Sequence, residues 1–297
     1  MISDTPLPPR GLVCACLYKV EWRTRLLSDK LRRGPRSYIS WPDLLGLLVP
    51  SRLRPARRVG PNLVVRRLEG DGALALWETP LGLFWGRESD GPVLSVCLEE
   101  QLLDRIYQRK PATVRGGDVV LDIGSHLGTF CRDALRRGAR LVVAFEPEPT
   151  NISCFKRTFQ EEIRQGRVFL VEAAAWETPG LLWLDCTQDP QDQFASAKPS
   201  VVIPQSGKHR IRVPAATIDE AAQRLNLDRV DFVKMDVEGA ERQALRGGRE
   251  TIAQFRPRMA ICIYHRPDDP EVVPRVVLQI RPEYQVASRG FQQAYFH

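Results

Sequence analysis

Long hydrophobic runs are absent from this sequence of 297 residues. Its longest apolar stretches, such as 44–49, fall far short of the roughly 20 residues that a membrane-spanning helix needs. The N-terminus has no charged segment before an apolar run, so we expect no secretory signal. The seven cysteines are odd in number and form no CxxC pair, which argues against a zinc knuckle and favours a reducing compartment. We therefore predict a soluble, cytoplasmic protein with no membrane span and no metal site.

Charge is distributed unevenly along the chain. The net charge is +7, yet residues 1–70 hold fourteen Lys and Arg against five Asp and Glu, which leaves the remainder slightly acidic. A basic arm of this kind suits nucleic acid, anionic lipid or an acidic partner. Because Arg outnumbers Lys throughout the chain, we prefer the interpretation that the arm is a solvated, Arg-rich surface. With 43% hydrophobic residues, disorder as the overall state is excluded.

Residues 1–112 are predicted to form an N-terminal α+β appendage. It contains weakly periodic helical pieces near 17–33 and 41–49, and a β-hairpin over 63–87 that turns at Gly70-Asp71-Gly72. A lead-in amphipathic helix over 99–110 follows, and Pro111 stops it. Its apolar face comprises Leu102, Leu103, Ile106 and Tyr107.

Residues 113–297 are predicted to form an α/β domain with a doubly wound, mostly parallel, Rossmann-like sheet. Continuous apolar strands at 119–124, 141–147, 168–175, 230–237 and 259–265 alternate with helices near 127–137, 149–165, 217–226 and 239–255. Such strands, separated by helices, indicate a sheet that is covered on both faces. The polar segment 186–210 lacks any period and reads as a long loop, either a functional lid or an insertion.

The end of the first strand predicts a cofactor site. Gly124 permits a tight turn with close backbone approach, and Gly128 lets the next helix pack against its strand. Asp122 offers a carboxylate to a cationic ammonium group, whereas a dinucleotide pyrophosphate would need bare N–H groups. This pattern suits S-adenosylmethionine better than NAD, although a generic strand–turn–helix with two glycines remains the alternative.

Acidic residues mark the ends of the second and third strands. Glu146 follows Gly128 at the spacing where an acid accepts both ribose hydroxyls, and Pro147 then ends the strand. The alternative for Glu146 is an N-cap of the next helix. At the third strand, Ala173 leaves room for a flat adenine ring and Glu172 can bond its amino edge, with ordinary small-residue packing as the equal alternative.

The fourth and fifth strands end in a cluster of ionisable residues. Alternation places Lys234, Asp236 and Glu238 on one side of the fourth strand, and such groups are costly unless they line a polar cleft. Glu241 is explained by a salt-bridged helix start. His265 brings an imidazole to the same edge, where a surface or capping role is the even alternative.

Taken together, these segments resemble the FkbM family of class I, S-adenosylmethionine-dependent methyltransferases. The matching text is VVLDIGSHLG (119–128), VVAFEPEP (142–149), VEAAAWETPG (171–180), TIDE (217–220) and VDFVKMDVEGAERQALRGG (230–248), followed by the strand that leads to His265. The resemblance spans about 113–285. It implies a seven-stranded sheet and O-methylation of small or saccharide-like acceptors. Since the chain ends at FQQAYFH, we expect the last strand of the final antiparallel hairpin to be short or missing.

The resemblance also implies roles for single residues. The methionine part of the cofactor would be held by Asp122, Gly124 and Gly128, together with Ser125 and His126, which stand where the family has small residues or Asn. The ribose would lie by Glu146 and Pro147, the adenine by Glu172 and Ala173. The reacting methyl would face Asp236, Glu238 and His265.

An alcohol acceptor needs a base as well as positioning. We take His265 as the first candidate and Glu238 as the second, and we expect Asp236 to orient the acceptor or the cofactor's ammonium end. The chain lacks an Asn/Asp-Pro-Pro-aromatic tetrad after the fourth strand, which argues against N-methylation of nucleic acid. Two alternatives stay open: a non-catalytic binding module on the same fold, and an NAD-dependent oxidoreductase, which the missing GxGxxG weakens.

Overall fold

The computed structural model describes residue 31 and residues 63–186, 199–202, 209–289 and 292–297. The predicted helical pieces near 17–33 and 41–49, most of the basic arm and most of the loop 186–210 lie outside these residues. No helix among the described residues is long and apolar enough to cross a membrane.

An antiparallel meander opens the described chain. It contains β1 (Arg66–Asp71), β2 (Leu74–Thr79) and β3 (Gly82–Arg87). The predicted hairpin is therefore confirmed. A second turn after Thr79 adds a third strand, β3, which pairs with β2. Ala75, Trp77 and Phe84 lie on the buried face of this sheet.

The lead-in helix begins earlier than predicted. Helix α1 (Gly91–Leu98) continues into a π-helical turn (Glu99–Leu103), so the segment after Leu103 is not helical. Pro92 suits the first helical turn, and the buried Leu94 and Leu98 extend the apolar face upstream. Leu103, placed on the buried face by the sequence pattern, is 52% exposed.

The five strands and four helical segments predicted after residue 118 are present. The strands are β4 (Val119–Ile123), β5 (Leu141–Phe145), β6 (Val168–Val171), β7 (Ala174–Ala175), β8 (Gly180–Cys186), β9 (His209–Ala216), β10 (Phe232–Met235), β11 (Arg258–Cys262), β12 (Val286–Arg289) and β13 (Gln293–Phe296). The helices are α2 (Thr129–Arg136), α3 (Pro149–Thr158), α4 (Gln160–Arg164), α5 (Ile218–Arg224), α6 (Glu241–Gly247), α7 (Arg249–Phe255) and α8 (Asp269–Ile280). The structure adds β8, β9 and α8, which the sequence pattern did not predict.

Seven strands form the central sheet, in the order β12-β13-β11-β10-β4-β5-β6. The five strands from β11 to β6 are parallel. Side chains alternate along each strand between two buried clusters: Val120 and Phe232 lie in one, Leu121 and Val233 in the other. This continuous burial explains why the strands read as unbroken apolar runs.

The C-terminal hairpin is present, and of the two expectations for its last strand, short or missing, the structure shows a short strand of four residues. Strand β13 lies between β11 and β12 and is antiparallel to both. All four of its residues are buried. Four residues therefore suffice to complete the sheet, because β13 is inserted inside it rather than at its edge.

The third predicted strand, 168–175, is divided between two sheets. β6 joins the central sheet, whereas β7 pairs with β9 in a small sheet of order β7-β9-β8. The helices predicted over 149–165 and 239–255 are each divided in two as well, at Phe159 and Gly248. Small side chains at 173–175 allow the chain to leave one sheet for the other.

Candidate active site

Two cavities open at the edge of the central sheet where β4, β5 and β10 have their carboxyl ends. They measure about 550 Å³ and about 1030 Å³. Gly124, His126, Asp236 and Glu238 line both, so the cavities adjoin at these four residues. Ligands of open α/β sheets bind at this edge. We call the smaller one, which reaches Glu146, the first cavity, and the larger one, which reaches Lys234, the second cavity.

The turn after β4 is held from two sides. The backbone amides of Gly124 and Ser125 donate hydrogen bonds to the carbonyl of Phe145, at 3.1 and 2.9 Å. Gly124 has a φ of +81°, and a Cβ at this position would collide with the backbone carbonyl of Asp236. The close approach predicted at Gly124 is therefore made to the chain itself, which brings the ends of β4 and β10 together.

The next residues of the turn face the cavities. Ser125 lines the second cavity, and its buried hydroxyl has no hydrogen-bond partner among the described residues. His126 lies at the junction, where burial lowers the pKa of its imidazole to about 4, so the ring is neutral at pH 7. Gly128 is the N-cap of α2, at a φ of +87°, and the rings of Phe155 and Phe159 occupy the space of its missing Cβ. A side chain is therefore excluded here by these two rings from the α3 segment, and not by the predicted packing of α2 against β4.

Asp122 lies beneath the turn and lines neither cavity. It is fully buried, and its register partner on β10 is Lys234. The Lys234 Nζ lies 3.1 Å from Asp122 Oδ1 and donates a hydrogen bond to the Gly124 carbonyl. Burial raises the pKa of the Asp122 carboxyl, while the carboxylates of Asp122 and Asp236 outweigh burial and raise the pKa of Lys234. The cation beside Asp122 is thus the chain's own, and cofactor contact by Asp122 has no support from this geometry.

Glu146 lies at the end of β5 and lines the first cavity. Its carboxylate accepts hydrogen bonds from the backbone amides of His126 at 2.8 Å and Glu148 at 3.0 Å, and from the side-chain amide of Asn151 at 3.2 Å. Burial raises its pKa to about 7. The N-cap of α3 is Glu148 and not Glu146. The capping alternative for Glu146 is therefore excluded, and its carboxylate is held in place at the cavity wall.

The third strand end separates two residues that the sequence had placed together. Ala173 lines the first cavity next to Pro147. Glu172 points away from it and forms a surface ion pair with Lys156 at 2.7 Å, with both side chains about half exposed. The adenine contact predicted for Glu172 has no support from this position. Glu172 and Ala173 are neighbours in sequence, and alternate side chains of an extended segment point to opposite faces.

The acidic cluster at the ends of β10 and β11 is assembled as the sequence predicts. Lys234, Asp236 and Glu238 all line the second cavity. His265 lies behind the two acids, with its Nε2 3.3 Å from Asp236 Oδ1 and 3.5 Å from Glu238 Oε1. Glu238 has a φ of +52°, so a strained backbone turns its side chain towards the junction of the cavities.

His265 is less suited to act as a base than the sequence suggested. It lines neither cavity, and its Nδ1 lies 2.9 Å from Oε1 of the buried Glu241. Burial lowers the pKa of the imidazole, but Glu241, Glu238 and Asp236 outweigh it and hold the pKa of His265 well above its usual range. A protonated imidazole cannot accept a proton. His265 therefore has less support as the base than Glu238, which lines both cavities. Glu241 was predicted to start a helix and to form a salt bridge. It is the first residue of α6, and its partner is His265.

Residues of the N-terminal appendage cover the second cavity. Cys97 and Gln101, from α1 and the π-helical turn, line it together with Tyr107. The Tyr107 hydroxyl donates a 2.6 Å hydrogen bond to Asp236 Oδ2. Sequence reasoning placed Tyr107 only on an apolar helix face, since no local signal links residues 129 positions apart. The Asp236 carboxylate is therefore oriented by a residue from outside the predicted methyltransferase segment.

A short part of the polar loop reaches the first cavity. Pro199 and Val201 line it, and the Ser200 hydroxyl donates a 2.7 Å hydrogen bond to the backbone carbonyl of Glu238. Pro199 and Val201 belong to the segment 186–210, which was predicted to be a lid or an insertion, and they bring part of it to the wall of the first cavity.

The sequence matches a family model described as the methyltransferase FkbM domain, over residues 122–291. No curated protein sequence matches it. Among solved structures, it is similar to a methyltransferase FkbM from Methylobacillus flagellatus KT, at 20% identity and a TM-score of 0.47, over 71% of this chain and 56% of that one. It is also similar to Aeropyrum pernix fibrillarin with natively bound S-adenosyl-L-methionine, at 13% identity and a TM-score of 0.39, over 79% of this chain and 97% of that one. The chain thus spans little more than half the length of the first of these proteins.

Proposed function

The chain belongs to the FkbM methyltransferase family, and from this premise we propose that it transfers a methyl group from S-adenosylmethionine to a hydroxyl group of a small-molecule or saccharide acceptor. The observation that carries the proposal is the pair of cavities that adjoin at Gly124, His126, Asp236 and Glu238. A transferase needs two neighbouring sites, one for the donor and one for the acceptor.

The first cavity fits the nucleoside end of the donor. Its wall combines small and apolar side chains, such as Ala173 and Pro147, with the fixed carboxylate of Glu146. The two carboxylate oxygens have four lone pairs between them, so the three hydrogen bonds that Glu146 already accepts leave capacity for one hydroxyl donor. Glu146 would hold the ribose, and Ala173 would lie against the base. The bound donor supplies an electrophilic methyl group on a sulfonium.

The junction of the cavities fits the charged part of the donor. Asp236 and Glu238 present carboxylates there, which favour a neighbouring sulfonium or ammonium cation. The backbone of Gly124 and the hydroxyl of Ser125 lie along the same wall. We propose that these four residues and His126 position the amino-acid part, and that Gly128 acts indirectly by fixing the turn.

The second cavity would hold the acceptor. Its position beyond the junction suits an in-line attack on a methyl group held between the two sites, and such positioning supplies much of the acceleration. Glu238 is the candidate base, because it lines both cavities, whereas His265 lines neither. Asp236, held by Tyr107, would orient the acceptor hydroxyl.

Binding of S-adenosylhomocysteine tests the donor site. Calorimetric titration of the full chain should give a one-to-one complex, and Glu146→Gln should weaken it about tenfold or more, since a buried hydrogen bond to a charged group contributes about 1.5–3 kcal/mol. Glu172→Gln is the matched control, because this neighbouring acid lies outside the cavity, and its affinity should equal that of the parent protein. Equal losses in the two variants would refute the assignment of Glu146.

Release of S-adenosylhomocysteine in a metabolite screen tests the reaction and identifies the acceptor class. O-methylation would be supported by two results together: turnover only with acceptors that carry a hydroxyl group, and a lower turnover rate in the Glu238→Gln variant. Binding without turnover on any acceptor would favour the non-catalytic module. Binding of NAD in place of the homocysteine nucleoside would favour the oxidoreductase.

A further inference from the structure

We propose that Asp236, Glu238 and His265 form a binding site for one divalent transition-metal cation, with Glu241 holding the imidazole from behind. This site goes beyond the proposed methyl transfer and replaces the expectation that the chain binds no metal. Asp236, Glu241 and His265 offer ligand atoms that all lie within 4.8 Å of one another, and Glu238 Oε1 lies 3.5 Å from the nitrogen of His265 that faces away from Glu241.

The distances around His265 Nε2 suit an ion. Oxygens of Asp236 and Glu238 lie 3.3 and 3.5 Å from this nitrogen, too far for well-formed hydrogen bonds. If each atom is about 2.1 Å from one cation, these separations correspond to angles of about 104° and 113° at the cation, near the tetrahedral value of about 109°. These two separations therefore already fit ordinary coordination.

Buried polar atoms in the cluster lack hydrogen-bond partners among the described residues. They are His265 Nε2, Asp236 Oδ1 and Glu241 Oε2. The side chain of His265 is only 4% exposed and that of Glu241 is fully buried. Buried polar atoms are rarely left unsatisfied, and a missing ion is one of the accepted explanations. Two of the three atoms are those that the proposed site would use as ligands.

The residues behind the cluster have the arrangement of an outer ligand shell. Glu241 Oε1 lies 2.9 Å from His265 Nδ1, which leaves Nε2 as the nitrogen that faces the acids. Carboxylates commonly hold metal-bound imidazoles through the second nitrogen in this way. The Tyr107 hydroxyl occupies Asp236 Oδ2, so that Oδ1 is left facing His265. Two of the three proposed ligands, His265 and Asp236, are thus each oriented by a residue that does not itself bind the ion.

Charge balance also favours a cation. Asp236, Glu238 and Glu241 bring three carboxylates to one imidazole. Without an ion these acids hold the pKa of His265 above its usual range, and a bound cation would displace the proton from Nε2, because a metal-ligating imidazole is neutral. Of the described cations on either side, Arg242 pairs with Asp268 and Asp269, and Lys234 pairs with Asp122 and also attracts Asp236. A bound divalent ion would reduce the repulsion among the three acids.

The ligand set favours a first-row transition metal. Imidazole suits zinc and iron, and carboxylates suit manganese, so a mixed set of one imidazole and two carboxylates accepts either Zn²⁺ or Mn²⁺. Asp236 and Glu238 line the second cavity, so remaining coordination positions would open towards it. An acceptor hydroxyl bound there would lose its proton more readily. That consequence rests on the proposed function, whereas the metal site itself does not.

Titration of the chelator-treated full chain with MnCl₂, with free Mn²⁺ measured by electron paramagnetic resonance, tests the site. We expect one ion per chain, displaced by Zn²⁺. Glu241→Gln should weaken binding about 10–100-fold, as loss of an outer-shell carboxylate commonly does. Asp236→Asn should weaken it at least as much. Glu271→Gln is the control, because this acid lies on α8 in an exposed pair with Arg275, and its affinity should not change.

Two results would overturn the site: no binding of Mn²⁺ or Zn²⁺ at millimolar concentrations, or unchanged affinity in both Asp236→Asn and Glu241→Gln. If far-ultraviolet circular dichroism shows that either variant is unfolded, Glu238→Gln carries the same test, because this side chain is partly exposed and tolerates change more easily. Binding of S-adenosylhomocysteine to the metal-free protein is measured separately. If it does not bind, the proposed donor site is refuted, and the result of the metal titration is unaffected.

Discussion

Lys234→Met tests whether the Asp122–Lys234 pair is a structural ion pair beneath the turn. The two charged atoms are 3.1 Å apart, and the side chains are 6% and 0% exposed. At an effective dielectric of about 20, their attraction is about 5 kcal/mol. Removing one partner of a buried pair leaves an uncompensated charge and costs about 3–5 kcal/mol. We expect a loss of that size in the free energy of unfolding at neutral pH.

The matched control is Lys156→Met. Lys156 also forms an ion pair, with Glu172 at 2.7 Å, but these side chains are 50% and 49% exposed. Exposed pairs contribute about 0–1 kcal/mol, so this variant should unfold almost like the parent protein. Urea unfolding, followed by circular dichroism, gives both values from shifts in the midpoint at constant slope.

Adding Asp122→Asn to Lys234→Met should restore much of the lost stability, because the unpaired charge is then removed. Two outcomes would refute the reasoning: a Lys234→Met variant no less stable than Lys156→Met, or a double variant no more stable than Lys234→Met alone. Either result would mean that water or another group already compensates Asp122. The carboxylate would then be available to a ligand, as the sequence first suggested.

Two further predictions concern the walls of the first cavity. Gly124→Ala should destabilise the fold by more than Gly72→Ala, measured by urea unfolding: both have positive φ, but only at Gly124 would the new Cβ strike a backbone carbonyl. The pKa of Glu146 is raised by burial from 4.5 to about 7, so its folded form prefers the proton, and stability is lost as pH rises through that interval. Between pH 5 and pH 8, Glu146→Gln should therefore gain up to roughly 3 kcal/mol relative to the parent protein. An unchanged difference at the two pH values would contradict the raised pKa.

Much of the fold was predictable because its signals are local. Strands β4, β5 and β10 are short apolar runs that end at glycine or acidic residues, and β11 is an apolar run that leads to His265. The structure contains each of the four within three residues of the prediction. The position of Gly128 before α2 could also be predicted, although the rings that exclude a side chain there belong to the α3 segment. The Rossmann-like arrangement of the sheet then follows from the alternation of strands and helices.

The errors arise where a residue's role depends on a distant partner. Glu172 and Ala173 are adjacent in sequence, yet one lies on the surface and the other in the cavity wall, because the strand divides between two sheets. Helix α1 lies upstream of the predicted helix over 99–110, because the burial of Leu94 and Leu98 outweighs the weaker apolar periodicity after Glu99. In each case, tertiary packing decided between local patterns of similar strength.

The end of the first strand shows both contributions. The sequence alone determined that β4 ends in a glycine turn, that acids gather at the neighbouring strand ends, and that the sheet presents them at one edge, since periodicity and backbone sterics act over a few residues. Only the tertiary structure decided that Asp122 faces Lys234, that Tyr107 holds Asp236, and that His265 is enclosed by Glu241. The physical reason is that hydrogen bonds and ion pairs depend on distance and burial, and these partners are brought together only when the sheet and its cover are assembled.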